Sequence, residues 1–190
     1  EVVIYSTTFN HTLKKQRFVK TSEIKINRQL SYVLIKSPGY KKNISIGRLV
    51  DHAILALNFR LYLNRSDIVL PDAVFVGYPP VSLSFISLRW LYKKKVFSIL
   101  DLKDRWPDIF EAALPIYLRT LSRLVLWPSY FMRNKCLELS SHHTSISKSY
   151  IDWMQSKTKI KKQSTVAYLT PNPTLPSDID IQMSRQFLLI

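Results

Sequence analysis

The chain has 190 residues, of which 46% are hydrophobic, 12% aromatic and 22% charged. That balance excludes a disordered or low-complexity polymer, three glycines exclude collagen-like repeats, and a single cysteine, Cys136, excludes an internal disulfide framework. The net charge of +15 makes polyanions the expected partners: nucleic acid, anionic lipid or phosphorylated small molecules.

The charge is unevenly placed. Residues 1–65 carry an excess of +9, residues 66–115 are neutral, and residues 116–190 carry +6. Six acids fall in the neutral middle, four of them within Asp101–Glu111. The chain opens with Glu1 directly before an apolar run and closes on Phe187-Leu188-Leu189-Ile190. Such bare apolar ends suggest a piece of a longer protein. No basic segment leads into an apolar run and a cleavage site, so no signal peptide is expected. The longest uncharged stretch, Ala73–Leu88, is too short for a bilayer-spanning helix and contains Pro79-Pro80.

Val2–Tyr5 is a continuous β-branched run and predicts a buried strand. Ser6–Arg28 is polar and basic; it reads as a long loop with a short extended piece at Glu23–Ile26. Leu30–Lys36 predicts a second strand, stopped by Ser37-Pro38-Gly39. From Ile46 to Leu63 apolar residues recur at 46, 49, 50, 53, 54, 57 and 61, the spacing of one helical face. Leu55, Phe59 and Tyr62 form a second apolar strip, so this helix needs two apolar surroundings. It could lie at a membrane surface or be buried on both sides.

Asp72–Gly77 predicts a strand ending at the Tyr78-Pro79-Pro80 turn. Val81–Tyr92 predicts a helix, with Lys93-Lys94-Lys95 where cations complement the helix dipole. Val96–Leu100 is a strand and Pro107–Ala113 a short helix. Ile116–Leu139 reads as helical with an interruption at Trp127-Pro128. His143–Ile146 predicts a strand, Ser147–Gln155 a helix, and Thr165–Leu169 a last strand. Asn172-Pro173 through Asp178 is turn-rich and reads as a linker. Short apolar strands alternating with helices imply a parallel sheet of βαβ units. Ligands of such sheets bind beyond the carboxyl ends of the strands, here after Tyr5, Gly77, Leu100 and Ile146.

The stretch Asp101-Leu102-Lys103-Asp104-Arg105-Trp106-Pro107-Asp108 lies at one of those ends. Three carboxylates and two cations there suit hydrogen bonding to sugar hydroxyls, and an indole face suits a sugar ring. The plainer reading is an ion-paired loop that starts a helix. There is no GxGxxG and no P-loop. His142-His143 and Cys136 match no zinc spacing, so no metal is expected. His11 and His52 are isolated. No helix-turn-helix, zinc finger or RNA-binding aromatic motif supports a nucleic-acid partner. Lys14, Lys15, Lys41, Lys42 and Arg48 form basic loops suited to anionic headgroups or phosphate.

Together these residues resemble the amino-terminal domain of family-four glycosyltransferases of the GT-B fold. The nearest likeness is the branch that builds bacterial surface polysaccharides. That branch carries Arg-Asp-Leu-Trp-Pro-Asp; here Lys103 and Arg105 replace the Arg and Leu, while Asp104, Trp106, Pro107 and Asp108 match. Tyr40, Asn43 and Arg48 are similar to its Tyr-x-x-Asn…Arg pattern, and Ser147-Lys148-Ser149-Tyr150 to its Val-Ser-x-x-Tyr step. The likeness spans Val2 to Leu169.

The resemblance implies a Rossmann-like parallel sheet flanked by helices, the amino-terminal half of a GT-B enzyme. Residues 1–170 would form the acceptor-side domain, without its first strand and Gly-rich loop. Residues 171–190 would lead toward a carboxyl-terminal donor-binding domain. The implied activity is retaining sugar transfer from a nucleotide-sugar to a lipid-linked or glycan acceptor, at the cytoplasmic face of the inner membrane. No cofactor beyond the nucleotide-sugar substrate is implied. Asp104 would be catalytic, and Lys103, Trp106, Asp101 and Tyr78 would hold the acceptor. The alternative is a non-enzymatic basic module that binds membrane or polyanion.

Overall fold

A computed structural model describes residues 1–43, 45–112 and 114–168. They fall into two compact units, Glu1–Asn58 and the described part of Phe59–Leu169. In chain order the first unit holds β1 (Val2–Thr7), β2 (Phe9–Asn10), β3 (Lys15–Gln16), β4 (Ser22–Lys25) and β5 (Leu30–Ile35). Next comes α1 (Ile46–Leu63), which starts in the first unit and ends in the second. The second unit continues with β6 (Ala73–Tyr78), α2 (Val81–Lys93), β7 (Phe97–Leu102), α3 (Asp108–Ala112) and α4 (Ile116–Leu139). It closes with β8 (His142–Ser145), α5 (Lys148–Ser156) and β9 (Ser164–Val166). The turn-rich segment at 172–178 lies outside the described residues.

In the first unit β5 is the central strand. It pairs in parallel with β1 and antiparallel with β4. Val33-Leu34-Ile35 is buried, as expected of an apolar run with neighbours on both edges. The segment after β1 is not a plain loop. Phe9-Asn10 pairs with Lys15-Gln16 in a short hairpin. Asn10 makes the turn by accepting the Thr12 and Leu13 amides at 3.0 Å each. Gln16 then donates to the Ser37 carbonyl at 2.7 Å and accepts the Thr8 hydroxyl at 3.0 Å, tying the hairpin to the chain beyond β5.

The spacing-based face of α1 is corrected. Its buried face is Asp51, His52, Leu55, Ala56, Phe59 and Leu63, whereas Ile46, Leu49, Val50, Ile54, Leu57 and Leu61 are exposed. The second apolar strip supplies Leu55 and Phe59 to this face, and periodicity missed the rest because two polar residues complete it. Asp51 is accommodated by accepting the Gly39 amide at 2.6 Å. His52 meets Tyr40 edge-on at 6.2 Å.

The second unit is a four-stranded, all-parallel sheet in the order β6-β7-β8-β9. Helices make every crossover, and α2 packs against β6, β7 and α4, while α5 packs against β8 and β9. The core gathers Val76, Tyr78, Leu88, Leu91, Leu100, Leu102, Trp106, Leu137, Ile151 and Met154. The expected parallel α/β sheet is therefore present, but β1, β4 and β5 make a separate mixed sheet. A further correction concerns α4, which runs unbroken through Pro128. Proline removes one helical hydrogen bond, but Pro128 lies on the exposed side of the helix, where water can satisfy the freed carbonyl.

Candidate functional site

The carboxyl ends of β6, β7 and β8 converge at one edge of the parallel sheet, and three ties hold them there. The Lys103 amide donates to the Tyr78 carbonyl at 2.9 Å. The Tyr78 hydroxyl donates to the Trp106 carbonyl at 2.5 Å. The Ser145 hydroxyl donates to the Leu102 carbonyl at 2.7 Å. Ser84, in the first turns of α2, donates its hydroxyl to the Gly77 and Pro80 carbonyls at 2.9 Å each. These bonds tie the ends of the three strands and the start of α2 to one another, so the edge is a fixed frame.

The frame sorts the sequence-predicted residues. Tyr78 and Trp106 lie inside the core at 1% and 6% exposure. Trp106 packs edge-on against Phe110 at 4.5 Å, so its ring braces the loop from within instead of lying open. Burial pushes the Tyr78 phenol well above its ordinary pKa, which keeps it a neutral donor. Asp101 is also buried. It pairs across the ladder with Thr144, whose hydroxyl donates to it at 3.1 Å. Lys103, Asp104 and Arg105 are the part of the loop that faces solvent.

Beside them stands the start of α5. The Arg105 guanidinium lies over the Tyr150 ring at 5.2 Å, and the Ser147 and Ser149 hydroxyls meet at 3.0 Å. The edge thus presents one carboxylate, two cations and two hydroxyls on a rigid base. That set can accept a hydrogen bond from a sugar hydroxyl and contact an anionic group close by. Reasoning from the sequence put Arg105 in the candidate loop and the segment after Ile146 at the same sheet edge, but named none of Arg105, Ser147, Ser149 and Tyr150 as a site residue and did not join that segment to the loop. The parallel β7–β8 pairing is what does so.

Asp108 has a different role. It accepts Arg133 at 2.5 Å and lies 3.4 Å from Lys157. Arg133 is buried between the Tyr130 and Trp153 rings at 5.0 and 5.6 Å. Its Nε and Nη2 also donate to Asn134 at 3.0 and 2.9 Å. These groups border a cleft of about 540 Å³ lined by Asp108, Glu111, Arg119, Arg123, Trp127, Tyr130, Arg133 and Lys157. Glu111 accepts Arg123 at 2.5 Å and Tyr130 at 2.8 Å. The Arg123 contact holds the Glu111 carboxyl below its usual range. Burial, then Glu111, pushes the Tyr130 phenol up to about 12. No sequence motif pointed to this cleft, because its pairs join residues 12 to 49 positions apart.

In the first unit the structure gathers part of the predicted basic set around Tyr40. Lys14 Nζ lies 4.4 Å above the Tyr40 ring and donates to the Asn43 side chain. The Arg48 guanidinium lies 5.5 Å from the same ring and donates to the Asn43 carbonyl at 2.9 Å. The Tyr40, Asn43 and Arg48 pattern is therefore a physical cluster. Lys15, Lys41 and Lys42 stand exposed.

Among the described residues, no three His, Cys, Asp or Glu side chains gather as a metal site. No described helix is long and apolar enough to cross a membrane. Compared with protein-family models and with curated proteins, the chain matches none.

Proposed function

We propose that the chain is the acceptor-side half of a GT-B glycosyltransferase. In this reading it moves a sugar, with retention, from a nucleotide-sugar to a lipid-linked or glycan acceptor of surface-polysaccharide synthesis. The observation that supports it best is the exposed Lys103-Asp104-Arg105 loop on a rigid carboxyl edge of an all-parallel sheet. The Asp-x-Trp-Pro-Asp likeness falls on that same loop.

In this mechanism Asp104 accepts a hydrogen bond from the acceptor hydroxyl and orients its oxygen. Lys103 and Arg105 contact the acceptor's phosphate. The sugar–phosphate bond of the donor breaks and the new glycosidic bond forms on the same face. The acceptor proton leaves with the departing phosphate. The donor is held by a second domain of the same polypeptide. Positioning and charge stabilisation supply the catalysis, and neither a metal nor a redox cofactor is invoked. Tyr78, Trp106 and Asp101 act as positioning residues beneath the loop. Lys15, Lys41 and Lys42, with Lys14 and Arg48, draw the enzyme to the anionic cytoplasmic face of the inner membrane.

The test is Asp104→Asn in the polypeptide together with its donor-binding domain, assayed with nucleotide-sugars and membrane-extracted acceptor. Turnover falls by about a hundredfold if Asp104 orients the acceptor. Unchanged turnover with an unchanged acceptor KM overturns the assignment.

A non-enzymatic module that binds membrane or polyanion is the second reading. The charge of +15 and the Lys14–Tyr40–Arg48 cluster favour it. Under that reading anionic vesicles bind the chain, and no glycan or nucleotide-sugar alters the binding.

A further inference from the structure

The cleft lined from α3, α4 and the end of α5 is unbalanced in charge. Its walls hold four cations and two carboxylates, a surplus of +2. Each carboxylate is shared between two cations. Asp108 meets Arg133 through one oxygen and Lys157 through the other. Glu111 accepts Arg123 and the Tyr130 hydroxyl, and the charge of Arg119 acts on it through space. Both acids are thereby occupied within the wall. So is Arg133, whose Nη1 donates to Asp108 while Nε and Nη2 donate to Asn134.

What remains toward the cleft is a set of donors. Arg119 donates Nε to the Leu114 carbonyl at 3.1 Å, and Arg123 donates Nε and Nη2 to Glu111. Among the described residues neither Nη group of Arg119, nor Nη1 of Arg123, has a partner. The two arginines stand one turn apart on α4, a spacing at which like charges destabilise a helix and which an anion held by both relieves. Trp127 borders the same cleft at 65% exposure, with Phe131 stacked on it at 6.2 Å. The volume of about 540 Å³ suits a small molecule.

We propose that this cleft binds a small soluble phosphomonoester, its phosphate on Arg119 and Arg123 and its carbon skeleton against Trp127. A phosphomonoester carries close to two negative charges at neutral pH, which matches the surplus, and its oxygens accept where the wall only donates. Guanidinium forks suit phosphate oxygens in pairs. A cation would meet the surplus charge unfavourably, and an uncharged sugar would leave it unbalanced. The site shares no residue with the Lys103-Asp104-Arg105 loop, so it goes beyond the sugar-transfer reading and does not depend on it.

The experiment is calorimetric titration of the 190-residue chain with ribose 5-phosphate, AMP and inorganic phosphate, with ribose as the uncharged control. At least one of the two esters is expected to bind once per chain, about tenfold or more tighter than inorganic phosphate. Which ester does so tells whether a sugar or a base lies against Trp127. Arg119→Gln weakens ester binding at least about tenfold. Arg119 is partly exposed and makes no ion pair within 4 Å, so circular dichroism stays native. Arg123→Lys, which keeps the charge and loses the fork, changes affinity in the same direction. Trp127→Ala lowers the ester's affinity to that of inorganic phosphate. Lys20→Ala, in the first unit, and Asp104→Asn bind like the wild type; the second separates this site from the transfer reaction. Binding that does not saturate below about 10 mM, or equal binding of phosphate and both esters, overturns the proposal. So does wild-type affinity in Arg119→Gln, an equal loss in Lys20→Ala, or an ester preference that survives Trp127→Ala.

Discussion

Single residues carry much of the local design. Gly39 stands at φ +80, in the left-handed region, where a Cβ would meet the buried Phe9 ring at 2.5 Å. Neither neighbour can yield: Phe9 also packs on Tyr40 at 5.0 Å, and the Gly39 amide is held by Asp51. Gly39→Ala should cost roughly 1–3 kcal/mol, read as a lower urea midpoint. His143 is fully buried. Its Nε2 faces the Leu137 carbonyl at 3.1 Å, which can only accept, so Nε2 carries the proton. Its Nδ1 has no partner, so a second proton would bury an uncompensated charge. Burial lowers its pKa to about 4, against 6.5 in the unfolded chain. Between those values the unfolded state binds more protons, so stability is full above about pH 6.5 and falls as the pH drops toward 4. The loss should reach up to roughly 3 kcal/mol, and His143→Gln should flatten it in urea titrations at several pH values.

At the scale of elements, the β7–α3 loop is held from both sides. Tyr78 fixes it at the Trp106 carbonyl, and Arg133 and Lys157 fix it at Asp108. Tyr78→Phe removes one buried donor and its bond to the Trp106 carbonyl. A loss of about 1–3 kcal/mol is expected, with faster amide exchange over 103–106 as its signature. Asp108→Ala leaves the buried Arg133 without its carboxylate and should cost more, about 3–5 kcal/mol by thermal or urea unfolding. A larger effect for Tyr78→Phe than for Asp108→Ala would contradict this ranking. Most elements were legible from period and punctuation: α1 and α2 begin where the spacing put them, and β5, β6 and β8 agree within two residues. What failed were rules applied without context. Pro128 did not break α4, because its side of the helix faces water. The buried face of α1 includes Asp51 and His52, whose partners Gly39 and Tyr40 come from the turn after β5. Asp101 was expected to hold the acceptor, whereas the β7–β8 register sets it, buried, beside Thr144. Sequence spacing contains no register, and one step of slip reverses every side chain.

At the scale of the whole molecule, the charge of +15 divides among distinct tasks. In the first unit Lys14 and Arg48 cluster on Tyr40 while Lys15, Lys41 and Lys42 stand exposed, and Arg119, Arg123 and Arg133 of α4 line the cleft. The neutral middle supplies the loop at the sheet's carboxyl edge. That loop is where the sequence likeness and the frame of the parallel sheet coincide, and the proposed function rests on it. The most direct measurement is amide hydrogen exchange of the chain with and without a short-chain polyprenyl-diphosphate-linked sugar. The account predicts protection at 103–106 and 147–150, abolished by Asp104→Asn while the fold is retained. Protection elsewhere alone, or protection that Asp104→Asn leaves unchanged, would contradict it.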